Sequence, residues 1–177
     1  NLLGGEVRET AGFEASALTK GESLQDTARV LSGFSDIICL RHPQSGSAAA
    51  FASSSRVPVI NGGDGSNEHP SQALLDLYTI EKELKGRGRQ LDGLRVAMIG
   101  DLKHGRTVHS LCRLLMLFRH ISVELVSPRE LAMPRELVEE MRAAGVKVDE
   151  SDRLEPSIAH VDIVYSTRIQ EERFSSK

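Results

Sequence analysis

The sequence predicts an α/β fold: two doubly wound parallel-sheet lobes, both incomplete in this chain. Three observations carry this. Short β-branched runs alternate with helix-period segments throughout. The strand-like runs are near-continuously apolar rather than alternating, the pattern of strands covered on both faces. A Gly- and charge-rich stretch, 85–93 (KGRGRQLDG), separates two sets of such runs.

The elements follow in chain order. In the first lobe, 1–84, helix-period segments at 23–34 and 46–54 flank a strand at 36–40 (DIICL), and a second strand falls at 57–60 (VPVI). A helix is expected over 70–84, because Leu74, Leu77, Tyr78 and Leu84 recur at helical spacing and Pro70 suits a first helical position. It leads into the turn at 85–93. The second lobe, 85–177, then reads as strands at 95–99 (RVAMI), 121–126 (ISVELV), 146–148 (VKV) and 161–165 (VDIVY), with helices at 105–118 and 134–144. About three strands are expected per lobe, fewer than the roughly five or six of a full doubly wound sheet.

Composition narrows the function. The 177 residues are 40% hydrophobic and 27% charged, ordinary for a globular protein. Twenty-two basic against 25 acidic residues give a net charge of −3, so no nucleic acid and no anionic membrane is expected as partner. No apolar run approaches the ~20 residues that span a bilayer, and no secretory leader is visible. Cys39 and Cys112 lie in apolar segments without C-x-x-C spacing and read as buried structural thiols of a reducing compartment, so a cytoplasmic location is expected. A start at Asn1 and an end at SSK read as a piece of a longer chain.

Ligands of open α/β sheets sit beyond the carboxyl ends of the strands. Here those ends deliver Arg41-His42-Pro43, then NGGDGSNEHPSQ, then GDLKHGRT, then Ser166-Thr167-Arg168-Ile169-Gln170. His69 falls at the start of the 70–84 helix and Gln72 in its first turn, where free N–H groups and the dipole favour an anion. That positive end depresses the imidazole pKa and leaves a neutral donor suited to polarising a carbonyl. A plain helix cap with a glycine turn accounts for the same residues.

The stretch AMIGDLKHGRTVHSL (97–111) matches G-x-x-x-x-G-R-T, one residue from a phosphate-binding loop. Its interior, Asp101-Leu102-Lys103-His104, is bulky where a phosphate cradle needs small residues. The planar guanidinium of Arg106 suits a carboxylate, whereas a P-loop lysine acts as a point charge. Without G-x-G-x-x-G, a dinucleotide turn is absent as well. Arg106 thus reads as a carboxylate fork or as a plain surface arginine. Arg168 with Gln170 reads as a second such grip or as part of the charged run RIQEER. Ser16 and Lys20 precede the 23–34 helix, and a lysine there either closes over an anion or is simply solvated. The remaining histidines, His42, His104, His109, His120 and His160, include no i,i+4 zinc pair, and no metal is expected.

KGES, LRHPQ, GDGSNEHPSQALLD, GDLKHGRTVHSL and TRIQEER occur in this order across essentially the whole chain. Together they closely resemble the aspartate carbamoyltransferase (aspartate transcarbamoylase) family. HPSQ alone is shared in kind with ornithine carbamoyltransferases; GDLKHGRTVHS with TRIQEER is specific to the aspartate enzymes. The resemblance implies transfer of a carbamoyl group from carbamoyl phosphate to L-aspartate, early in pyrimidine synthesis, with no metal or organic cofactor. By motif, Arg41, His69 and Gln72 would hold carbamoyl phosphate, with His69 and Arg41 polarising its carbonyl and Gln72 bonding its carbamoyl group. Arg106, Arg168 and Gln170 would clamp the two carboxylates of aspartate. Ser16 and Lys20 resemble the loop that reaches into a neighbouring subunit's site, which implies a homotrimer; regulatory chains or fused pathway domains are compatible. The family's Ser-Thr-Arg-Thr loop, expected before Asn1, and its His-Pro-Leu-Pro-Arg loop, expected after Lys177, are absent. The chain alone is therefore expected to be inactive and its parent active. The rivals are an ornithine carbamoyltransferase, a P-loop hydrolase, which Arg106 and the bulky loop disfavour, and a non-catalytic carbamoyltransferase-like assembly module.

Overall fold

The structure, a computed structural model, describes residues 4–9 and 21–167. Helix α1 (Leu24–Leu31) starts at Ser23, whose hydroxyl oxygen accepts the Asp26 amide at 3.1 Å. Strand β1 (Ile38–His42), helix α2 (Ser47–Ala52) and strand β2 (Val59–Asp64) follow. β1 and β2 form a parallel pair, with Cys39 opposite Ile60 and a register shift that brings His42 opposite Asp64.

Helix α3 (Pro70–Gly86) has Pro at its first position. It ends in a Schellman arrangement: Gly88 (φ 67°) and Arg89 return their amides to Lys85 and Leu84. Its buried stripe is Ala73, Leu77, Ile80 and Leu84, while Leu74 and Tyr78 are exposed. The inward face is therefore turned from the one the apolar spacing predicts. Ala73 explains this, because a small residue lets α3 lie close against α4.

β3 (Arg95–Ile99), α4 (Arg106–Leu115), β4 (Ser122–Val126), α5 (Arg135–Ala143), β5 (Lys147–Ser151), α6 (Leu154–Ile158) and β6 (Ile163–Ser166) build the second half. Its four strands are all parallel, in the order β5-β4-β3-β6. The chain thus runs outward from β3 through β4 to β5 and returns to the other side of β3. Helix α6 was not anticipated, since it is a single turn with Pro156 inside it. The described strands divide two and four, not three and three.

The two halves are packed unequally. The large apolar cluster draws on α3, β3, α4, β4, α5 and β5, with Leu94, Met98, Leu111 and Met141 fully buried. Truncating one of these to Ala costs about 2–5 kcal/mol. Around β1 and β2 the buried cluster among the described residues comprises Ala28, Leu40 and Phe51, with Leu24, Ile38 and Val59 packed against it. Cys112 lies in the large cluster, but Cys39 is exposed, contrary to the sequence reading, because among the described residues only Leu40 of β1 is buried.

At the amino ends of the strands, Asp162 precedes β6 rather than lying inside a strand. Its carboxylate takes the Arg89 guanidinium at 2.8 Å, the Arg95 guanidinium at 3.0 Å and the Arg95 amide at 2.9 Å. This clips the turn after α3 to the four-stranded sheet. The two arginines hold the carboxyl well below the usual carboxylate range.

Candidate active site

The loop after β3 is no phosphate cradle. Asp101 and Leu102 are both completely buried and fill the space a phosphate would need. The Asp101 carboxylate accepts the His104 amide at 3.0 Å and sits 3.1 Å from its ring Nδ1. What the loop does is begin α4 with Arg106, whose Nη1 donates to the Gly65 carbonyl at 3.1 Å. Arg106 therefore reaches from the four-stranded half to the loop after β2.

That second loop is organised by Asp64, which is 1% exposed. Its two oxygens accept the side-chain amides of Asn61 (2.9 Å) and Asn67 (3.1 Å) and the backbone amides of Gly46 (2.9 Å) and Glu68 (3.2 Å). Burial alone would push this carboxyl upward, but the four donors together outweigh it and keep it ionised below its usual range. One buried carboxylate thus closes the turn and delivers the chain to α3.

His69 is the N-cap of α3, and its Nδ1 accepts the Gln72 amide at 3.3 Å. This bond assigns the proton of the neutral ring to Nε2, which becomes the outward donor. The imidazole pKa is lowered, first by burial and then by the positive charges of Arg106 and Arg41. A neutral donor was the sequence expectation. Burial and the two arginines are causes that the sequence reading did not name. The ring and Arg106 meet over Gly63: a Cβ built there would lie 3.0 Å from Arg106 Nη1 and 3.3 Å from His69 Cδ2. With φ at +117°, the position requires glycine on backbone grounds as well.

The two halves are pinned beside this cluster. The His69 amide donates to Ser110 Oγ at 2.9 Å, and the Glu68 carboxylate takes both the Ser110 hydroxyl and the Arg113 guanidinium. Between the halves lies a cleft of about 920 Å³, lined among others by Arg41, Ser45, Arg106, Thr107, Tyr165 and Thr167. It opens at the carboxyl ends of β1, β3 and β6, next to the point where the chain order reverses around β3.

The sequence-derived candidates distribute as follows. Arg41 and Arg106 line the cleft, and His69 stands against Arg106 at Gly63. Gln72 is in the first turn of α3, but its Nε2 donates to Asp76 Oδ1 at 2.9 Å, and it does not line the cleft. Ser16, Lys20, Arg168 and Gln170 lie outside the described residues. Sequence reasoning missed Asp64, Glu68, Ser110 and Tyr165. Asp64 had a signal in DGSN, where Asp initiates a turn. The others had none, since Ser110 lies 42 residues from Glu68 and Tyr165 lies 89 from Asp76. Among the described residues no cluster of His, Cys, Asp or Glu could hold a metal, and no helix is long and apolar enough to cross a membrane.

Fold and cleft together define an α/β protein with arginines gathered beside a cleft at the strand ends of two parallel sheets. The chain belongs to the aspartate/ornithine carbamoyltransferase family: residues 1–82 match that family's carbamoyl-phosphate-binding domain, and 92–177 match its aspartate/ornithine-binding domain. It is 75% identical over 177 residues to the aspartate carbamoyltransferase catalytic subunit of Saccharophagus degradans, and 72% identical to that of Cellvibrio japonicus. All of this chain aligns in both cases, against 52% of each relative, so it spans about half their length. A crystal structure of aspartate transcarbamoylase from Trypanosoma cruzi, in complex with N-(phosphonacetyl)-L-aspartic acid, superposes with a TM-score of 0.86 at 41% identity. That match covers 97% of this chain and 54% of the other.

Proposed function

We propose that the protein carrying this chain is an aspartate carbamoyltransferase, forming N-carbamoyl-L-aspartate and phosphate for pyrimidine synthesis. The observation that carries this is a His69 donor held against Arg106 over Gly63, its pKa lowered by burial and by Arg106 and Arg41, beside a cleft that those two arginines line. In this reading 1–84 is the carbamoyl-phosphate lobe and 85–177 the aspartate lobe.

The chemistry needs positioning and charge stabilisation rather than a protein nucleophile. The aspartate amine attacks the carbamoyl carbon, and the carbonyl oxygen gains negative charge in the tetrahedral intermediate. His69 Nε2–H and the Arg41 guanidinium stabilise that oxyanion, a contribution of about 3 kcal/mol per donor. The C–O bond to phosphate then breaks, phosphate leaves with the electron pair, and the amine proton passes to it. Gln72 bonds the carbamoyl group, while Arg106, Arg168 and Gln170 hold the aspartate carboxylates. Ser16 and Lys20 complete the site of a neighbouring subunit in a homotrimer, and the protein works in the cytoplasm.

The test is carbamoyl-aspartate formation by the full-length protein beside its Arg106→Ala variant, with ornithine as control amine. Activity with aspartate only, lost in the variant, is the expected result. Turnover of ornithine would instead identify an ornithine enzyme. A folded protein that turns over neither amine would be a non-catalytic assembly relative.

A further inference from the structure

Asp76 has no place in the mechanism above, yet both of its oxygens are committed. Oδ1 accepts Gln72 Nε2–H at 2.9 Å, one turn back along α3. Oδ2 accepts the Tyr165 hydroxyl at 2.8 Å, from β6 of the other half. Tyr165 lines the cleft and packs against the large apolar cluster. Burial pushes its phenol up to about 12, so it remains a donor throughout the physiological range.

We infer that Asp76, clamped by Tyr165, is a positioning residue that sets which end of the Gln72 amide faces the carbamoyl group. A primary amide has a donor end and an acceptor end, and the carboxylate can take only the donor. With its nitrogen committed to Asp76, Gln72 has its carbonyl oxygen as the end left for another partner. An acceptor is what a carbamoyl NH2 group, itself a donor, requires. If the amide were turned over, donor would face donor and the contact would be lost. Left to itself, an i,i+4 Gln–Asp pair is a weak surface interaction that does not hold one rotamer. The Tyr165 bond changes this by fixing the carboxylate from a second element, in a half-buried setting. The same bond joins α3 to β6, the strand whose Tyr165 lines the cleft.

The inference rests on the proposed reaction. Its test is a double-mutant cycle in the full-length protein, measuring KM for carbamoyl phosphate and kcat with aspartate. Asp76→Ala is expected to raise KM for carbamoyl phosphate about tenfold, and Tyr165→Phe about threefold, the scale of one charge-assisted hydrogen bond lost or loosened. Both costs are expected to vanish when Gln72 is already Ala, because Asp76 then has nothing to orient. Thermal unfolding of each variant separates this from general damage, and Tyr165→Phe, which removes one oxygen atom, serves if Asp76→Ala does not fold. Costs that persist undiminished in the Gln72→Ala background would overturn the inference and leave the proposed function standing. No carbamoyl-aspartate from the unmutated protein would overturn the proposed function, and the inference with it.

Discussion

Ser110 Oγ accepts the backbone amide of His69 at 2.9 Å while its own hydroxyl donates to Glu68. A residue inside α4 therefore satisfies the helix cap of α3. The N-cap amide of a helix has no intrahelical partner, so its orientation is open to outside control. Here the four-stranded half exerts that control over a ring belonging to the other half. Arg106, one turn earlier on α4, adds the second tie through Gly65. Cap, imidazole and guanidinium are thus placed as a unit.

His69 is expected to titrate below the 6.5 of an unperturbed imidazole. Its pKa is lowered on folding, so between the folded value and 6.5 the unfolded chain binds more protons. Stability therefore rises with pH through that window, and is lost on acidification below 6.5. NMR of the ring protons gives the midpoint directly. Arg106→Ala removes a neighbouring charge and some burial, so the midpoint should move upward. A midpoint at or above 6.5 in the unmutated protein would contradict the arrangement described.

Gly63→Ala should be poorly tolerated. The new methyl would press on Arg106 and His69 at once, and the backbone there is left-handed. A cost of about 1–3 kcal/mol in denaturant unfolding is expected, together with reduced turnover, because the two side chains must part to admit it. Wild-type stability in this variant would show that the pair can yield freely.

Asp162→Ala tests the opposite end of the sheet. Three donors converge on this carboxylate, but both guanidiniums are about half in water, so the loss should be about 1–2 kcal/mol rather than their sum. Its folded pKa is depressed, so the contribution is complete above the ordinary aspartate value of about 3.9 and fades as pH falls below it. Urea midpoints of the two proteins should therefore converge in acid. Substrate KM values should not change, since Asp162 lies at the amino ends of the strands.

Much of this could be read from the chain. β3 begins and ends where its apolar run does, and α3 begins at Pro70 as the helix-start signal requires. A histidine before a helix was legible, and so was Arg106 after β3, whereas Arg41, expected beyond the first strand, lies inside β1. Three things were not legible. The inward face of α3 turns on Ala73, which weighs little in an apolar pattern although its smallness permits the close approach. Helix α6 is too short to show a period. The partners of Glu68, His69 and Asp76 come from elements about 40 to 90 residues away, and no local pattern encodes such pairings.

The unequal cores have a dynamic consequence. Local opening costs least where few apolar groups are buried, and among the described residues of this chain the buried cluster around β1 and β2 comprises Ala28, Leu40 and Phe51. Amide protons of β3 and β4 should thus outlast those of β1 and β2 in deuterium exchange. Arg41 sits on the softer side and Arg106 on the firmer. A ligand that spans the two stiffens mainly the softer partner, so part of its binding energy goes into ordering the protein.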